Sequence, residues 1–219
     1  MEQHLKGKKI LITAGPTWVA IDRVRAITNV FGGTLGAVIA TNAYSLGAEV
    51  TLLFGPGRAL LPKEQKNLKI IKFKYFDELL SLVKSEVGSK KYDVVIHSAA
   101  VADYTPVTVK KGKIKSGNKD LIIKLKPTLK IANLIKNLDP DTFLVKFKLE
   151  VGLSKKQLIN VALKSMQKSN ADLMVANDFN TVSKNHKAFI IDKKKNIKTF
   201  LGKEKIAWGL LKTLEEQIK

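Results

Sequence analysis

Two glycine-bearing stretches lie near the start of the chain: Ala14-Gly15-Pro16-Thr17 after an apolar run, and Asn29-Val30-Phe31-Gly32-Gly33-Thr34-Leu35-Gly36 before a helical segment. Glycines at this density let backbone N–H groups approach phosphate oxygens, and a helix amino terminus adds a favourable dipole. The chemistry implied is anion binding, although the same glycines would also serve plain turns and close helix packing. A dinucleotide site would want Gly-x-Gly-x-x-Gly in the first turn and an acid closing the second strand. Here the first turn holds one glycine and the second apolar run ends Leu52-Leu53-Phe54-Gly55-Pro56-Gly57, without an acid. No Gly-Lys-Ser/Thr stands at Walker spacing. Lys164 and Lys168 lie four apart in a helical segment, so both ammonium groups leave one face. With no cysteine in the chain and no serine–histidine signature, no enzyme nucleophile stands out.

These residues need a frame. Short runs apolar on both faces recur near Ile10, Val50, Ile70, Val95, Val145 and Met174, which suits central strands of a parallel sheet covered by helices. Between them, Leu35, Val38, Ile39, Asn42, Ala43 and Leu46 keep helical spacing, closed by Gly47. Asp77 is expected to cap a helix over Leu79 to Val87, and Ser154 one over Leu158 to Met166. The fold class expected is α/β: a Rossmann-like, doubly wound, mostly parallel sheet with helices on both faces and a flap or hairpin extension. The lysine-rich flap spans about 105–127. A hairpin at about 186–202 extends the sheet as antiparallel edge strands, with Lys193, Lys194 and Lys195 guarding the edge, before a closing helix from Glu204 to Ile218.

At 219 residues and 45% hydrophobic, the chain suits one domain over 1–219. The absence of cysteine suits a reducing compartment, and the cytoplasm is expected. No stretch is apolar and long enough to span a bilayer, so no membrane partner is expected. Lysine and arginine total 39 against 19 acids, a formal net charge of +20, which attracts polyanions and phosphorylated metabolites. Only Arg23, Arg25 and Arg58 are arginines. Base reading leans on the rigid arginine fork, so sequence-specific nucleic-acid recognition is disfavoured.

The segments ILITAGPT, IDRVRAITN, GGTLG, SAAVADYTP, GKIKS, FKLE and ADLMVAND, in this order, resemble the phosphopantothenate–cysteine ligase family, also called phosphopantothenoylcysteine synthetase, in its monofunctional bacterial form. The resemblance implies a ligase of coenzyme A biosynthesis that joins 4′-phosphopantothenate to L-cysteine through an acyl-cytidylate, converting CTP to CMP and pyrophosphate. It implies magnesium with the CTP, no flavin, and a homodimer. Asn29 falls on the asparagine that holds the acyl-nucleotide, and Lys113 on the flap lysine placed over the nucleotide; these are the implied catalytic residues. Gly32, Gly33 and Thr34 fall on the substrate-phosphate loop. Nucleotide contacts are implied for Gly15, Thr17, Ala99, Ala100 and Asp103. Ile131, Phe147, Lys164 and Lys168 complete that set, the two lysines as triphosphate ligands.

There are departures from the family pattern. The usual Ser-Ser-Gly-Lys after the asparagine is Phe31-Gly32-Gly33-Thr34, and Leu129 and Lys130 stand where proline and an acid are common. Alternatives are the same ligation with ATP, an NAD(P)-dependent short-chain oxidoreductase, and a basic nucleic-acid-binding protein. The missing acid and the lack of a Tyr-x-x-x-Lys pair argue against the oxidoreductase.

Overall fold

The computed structural model describes residues 4–117, 119–182 and 185–218. Along the chain run β1 (Lys9–Ala14), β2 (Trp18–Ala20), β3 (Ala26–Thr28), α1 (Thr34–Ser45), β4 (Glu49–Phe54), β5 (Leu68–Lys72) and α2 (Phe76–Gly88). Then come β6 (Val94–His97), β7 (Tyr104–Pro106), β8 (Leu125–Pro127), α3 (Ile131–Leu138), β9 (Phe143–Glu150) and α4 (Lys155–Ser169). The order closes with β10 (Leu173–Asp178), α5 (Phe179–Val182), β11 (Lys187–Asp192), β12 (Ile197–Leu201) and α6 (Lys203–Glu215).

Eight strands form one sheet in the order β12-β11-β10-β9-β6-β1-β4-β5. From β5 to β10 every neighbouring pair is parallel, and β11 and β12 add antiparallel edges. The six apolar runs all fall on the parallel strands. On β1, Ile10 and Ile12 face one core and Leu11 the other, because successive side chains alternate across a sheet. The first core is closed by α1 through Ile39, Ala40 and Ala43 and by α6 through Ile206, Leu210 and Leu214. The second is closed by Leu79, Val83 and Val87 of α2, Ile131 and Ile135 of α3, and Leu158, Ala162 and Met166 of α4. Burying each such large side chain contributes roughly 1.5–3 kcal/mol, so helices are held to both faces mainly by these stripes.

Helix α1 lies unusually close to the sheet. A Cβ built on Gly36 would stand 2.4 Å from the Ala14 Cβ and 2.6 Å from the Ser98 Oγ. Gly47 follows the helix at φ +90 and donates to the Tyr44 carbonyl, as a left-handed stop requires.

Two local features differ from expectation. Helix α2 starts at Tyr75, not Asp77: Glu78 reaches back to the Tyr75 N–H and completes a capping box, leaving Asp77 inside the first turn. Lys193, Lys194 and Lys195 form the expected lysine-rich turn between β11 and β12, and Lys193 pairs with Asp172. The lysine on the edge strand itself is Lys198, bound to Glu216. The small β2–β3 hairpin was not foreseen, since three-residue strands carry no readable period. Ser154 does cap α4, through its Oγ and Gln157.

Candidate functional site

From β1 the chain passes to β4 and β5 on one side, then returns to β6 on the other, so the β1–β6 boundary is where strand order reverses. Crevices open at the carboxyl ends of strands at such points. Here a cleft of about 860 Å³ opens, lined on its floor by Gly15, His97, Ser98, Ala99 and Ala100.

One wall is the amino end of α1. Gly33 caps the helix at φ +79, where an L side chain is strained, and no side chain or acid satisfies the first turn. A Cβ at Gly33 would also press on the Gly15 backbone at 2.8 Å. Among the described residues no side chain caps the amides at the start of α1, the arrangement that lets a helix amino end receive an anion. Gly32 O accepts from both Arg58 N and Ala59 N at 3.1 Å, which fixes the loop from the β4 side. Phe31 packs edge to face on Phe179, centroids 5.8 Å apart, and both rings line the cleft without filling it.

Asn29 spans from this loop to the next. Its Nδ2 donates to Ala100 O at 2.9 Å and Val101 O at 3.3 Å. Both amide hydrogens are thus engaged, and the oxygen remains as an acceptor. Thr17 sits behind, fully buried: its Oγ1 accepts from Ala102 N and its N donates to Ala100 O. It shapes the 100–102 loop and does not line the cleft. Asp103 lines it and pairs with Lys130, and Ile131 and Phe147 complete the opposite wall.

The structure thus brings together Gly15, Asn29, Gly32, Gly33, Thr34, Ala99, Ala100, Asp103, Ile131, Phe147 and Lys168 in one lining. It leaves out Thr17, Lys164 and Lys113. Lys164 is exposed on α4, one turn from Lys168, and the cleft-facing partner of Lys168 is Ser165 instead. Lys113 is exposed in the β7–β8 connection, which is tied to the β2–β3 turn by Asp22. The buried Asp22 carboxylate accepts from Val24 N, Arg25 N, Arg25 Nη1 and Ile114 N. These bonds, the Ile114 N–H foremost, hold its carboxyl down at about 2.

Several cleft residues escaped sequence reasoning. His97 ends β6; its Nδ1 meets Thr13 Oγ1 at 2.8 Å, and Ala99 N donates to the same oxygen at 3.3 Å. The hydroxyl proton is then available for Nδ1, which places the ring proton on Nε2. Burial, and then the charge of Lys146, push His97 down to about 4, so the ring is neutral at pH 7. Asn177, at the end of β10, donates through Nδ2 to His186 Nε2. Its Oδ1 and the His186 Nδ1 are buried without a partner among the described residues. Burial, and then Lys203, lower the His186 pKa. The readable signal for His97 and Asn177 was a polar residue closing an apolar strand, which is where such sheets bind ligands.

The charge of the lining is one-sided. Lys130, Lys146, Lys148, Lys168 and Lys203 face one carboxylate, Asp103. Among the described residues no three His, Asp or Glu side chains converge as metal ligands.

A switch-point cleft with the amino end of a helix on one wall and lysines on the other defines an open-sheet α/β protein whose cleft chemistry suits anions. Residues 5–218 match the DNA/pantothenate metabolism flavoprotein C-terminal domain, and the chain belongs to that family. The chain is 42% identical over 175 residues to the coenzyme A biosynthesis bifunctional protein CoaBC of Thermococcus kodakarensis, covering 80% of this chain and 42% of that protein. The chain therefore spans less than half the length of that relative. The crystal structure of the DNA/pantothenate metabolism flavoprotein from Streptococcus pneumoniae superposes with a TM-score of 0.88 at 36% identity, over 96% of this chain and 99% of that one. The C-terminal domain of a CoaBC protein gives 0.82 at 30% identity, over 99% and 98%. No helix among the described residues is long and apolar enough to cross a membrane.

Proposed function

We propose that the chain is a phosphopantothenate–cysteine ligase: it joins 4′-phosphopantothenate to L-cysteine, with CTP as the activating co-substrate. The observation that carries this reading is the juxtaposition of the open α1 amides with Asn29, Ala99 and Ala100 in one cleft, within a family whose relatives act in coenzyme A biosynthesis. In the first step a pantothenate carboxylate oxygen attacks the α-phosphorus, and the bond to pyrophosphate breaks. In the second the cysteine amine attacks the acyl carbon, CMP leaves with the bridging oxygen, and a proton passes from nitrogen to solvent. Neither step needs an enzyme nucleophile; both need reactants held together and phosphate charge offset.

The α1 amides and the lysines supply that charge offset. In this reading the Asn29 oxygen accepts from the attacking amine; its nitrogen donates to the Ala100 and Val101 carbonyls, which supports that role by leaving the oxygen as acceptor. A single carboxylate, already held by Lys130, does not build a resident magnesium site. Magnesium fits this cleft only as an ion carried in on the triphosphate. Exposed apolar side chains at Val24, Ile27, Val107, Val109, Leu121 and Ile122 support pairing of two copies through the hairpin and flap.

The test is to incubate the purified chain with phosphopantothenate, cysteine and either CTP or ATP, and to measure nucleoside monophosphate and pyrophosphate. CMP release dependent on cysteine is expected. Asn29→Ala should keep pyrophosphate release but lower product formation about 100-fold, the scale of one lost transition-state hydrogen bond. Unchanged product formation would show that Asn29 has been given the wrong role.

A further inference from the structure

The two edges of the eight-stranded sheet are finished differently. At β5 the preceding loop folds back on the strand: Gln65 and Leu68 exchange backbone bonds, and the Ile70 N–H donates to the Glu64 carboxylate at 2.9 Å. At β12 no segment does this among the described residues. His186 O accepts from Gly202 N at 2.7 Å and Asn196 O from Asp192 N at 3.2 Å, which makes Ala188–Phe200 and Ile190–Lys198 the hydrogen-bonded pairs of the β11–β12 ladder. The N–H and C=O groups of Ile197, Thr199 and Leu201 therefore point off the sheet, and they meet no partner among the described residues. Phe200 packs against Gly209 of α6, so alternation puts the side chains of Ile197, Thr199 and Leu201 on the opposite face, where all three are exposed. Edge strands are usually blunted by proline, a bulge or an outward lysine. Strand β12 has no proline and keeps an unbroken register with β11, and its one lysine, Lys198, is held by Glu216 at the end of α6.

We infer that β12 is a docking edge for a second copy of this chain, pairing antiparallel with its own counterpart about a twofold axis at Thr199. The register carries the choice of occupant. With Thr199 opposite Thr199, Ile197 faces Leu201 of the second copy and Lys198 faces Phe200. Every residue whose backbone groups point outward then falls in a hydrogen-bonded pair, so donors and acceptors are matched on both copies at once. The apolar side chains, Ile197 at 40% and Leu201 at 55% exposed, cover each other. No lysine stands opposite a lysine, whereas a centre one residue earlier would oppose Lys198 to itself and leave Leu201 outside the ladder. The sheet runs on from one copy into the other, and β11, β10 and β9 separate this edge from β6 and the cleft floor. A single short strand a side is small against the roughly 20–30 residues of a standard interface, so the edge joins copies at high concentration and is a weaker contact than pairing through the hairpin and flap. The inference does not depend on the ligase reading.

The test uses the Ile122→Lys chain, chosen to remove pairing through the flap, and compares dilute protein with protein at about 1 mM, the range in which a small contact is populated. Sedimentation of the concentrated sample should show twice the chain mass. Amide hydrogen exchange reads the register: the Ile197, Thr199 and Leu201 amides should slow about twofold or more on concentration, since only the unpaired fraction exchanges freely. The Lys198 and Phe200 amides, already bonded to β11, should keep their rates. Adding Thr199→Lys sets two like charges at the axis and should return the concentrated sample to the single chain, with the melting temperature unchanged. A chain that stays single at the higher concentration overturns the docking edge. So does association that leaves the three alternate amides unprotected, or that survives Thr199→Lys. The exchange pattern is read without the Thr199 substitution, so a folding defect in that variant does not decide the outcome.

Discussion

At Gly36 the missing side chain sets the geometry of the site. A methyl group there would overlap Ala14, which ends β1 and cannot retreat, and the Ser98 hydroxyl, which would have to leave the Thr13 carbonyl it donates to. Gly36→Ala should destabilise the fold by about 1–3 kcal/mol, the usual cost of overpacking, read from the urea midpoint. It should also weaken triphosphate binding by tilting the start of α1; a variant with an unchanged midpoint would show that the helix has room to move. The glycines were visible in the sequence because their density is unusual. Lys146 was not, since one lysine among many carries no mark of burial until the Ser165 carbonyl and Ser169 hydroxyl of α4 are seen beside its amine. Lys164 illustrates the reverse: spacing puts it on the face of Lys168, yet only Lys168 lines the cleft, and periodicity does not resolve that.

The elements were more legible than the contacts between them. Six β-rich runs became six parallel strands because strands buried on both faces need continuous apolar sequence. The capping of α2 was misread because Tyr75 is an unusual cap and the decisive partner, Glu78, works from inside the helix. The hairpin β2–β3 and the flap are joined through Asp22, a tie between residues 92 apart that no local pattern announces. A carboxyl lowered to about 2 stabilises above its unfolded value of 3.8, and loses that contribution as pH falls through about 2. Asp22→Asn removes the charge at every pH. The Ile114 amide should then exchange with solvent about tenfold faster or more at pH 7, while β1 amides keep their rates. Equal exchange at Ile114 would mean that the flap is held by something else. Because Lys113 is next to that amide, the same variant reports whether its position depends on the tie.

At the scale of the whole molecule, the +20 charge is an average that hides its distribution. Many lysines are solvated, but five line a cleft with one carboxylate, so in the proposed function general attraction of polyanions and selection of a phosphorylated ligand would come from different residues. The proposed pairing of two copies is tested by Ile122→Lys, a change at an apolar position that is 85% exposed. Sedimentation should show a species of twice the chain mass for the wild type and the single chain for the variant; a wild type that sediments as one chain removes the dimer from the account.

Helix α6 packs on α1 through Ile206, Leu210 and Leu214, so the helix that presents amides to the ligand is braced by residues made long after it. During translation, β1 and α1 leave the ribosome with their apolar stripe uncovered. Ligand competence would thus be acquired late and abruptly, when Leu214 has emerged and docked, and a nascent chain stalled before that point would display the glycine loop without the support that keeps it in place.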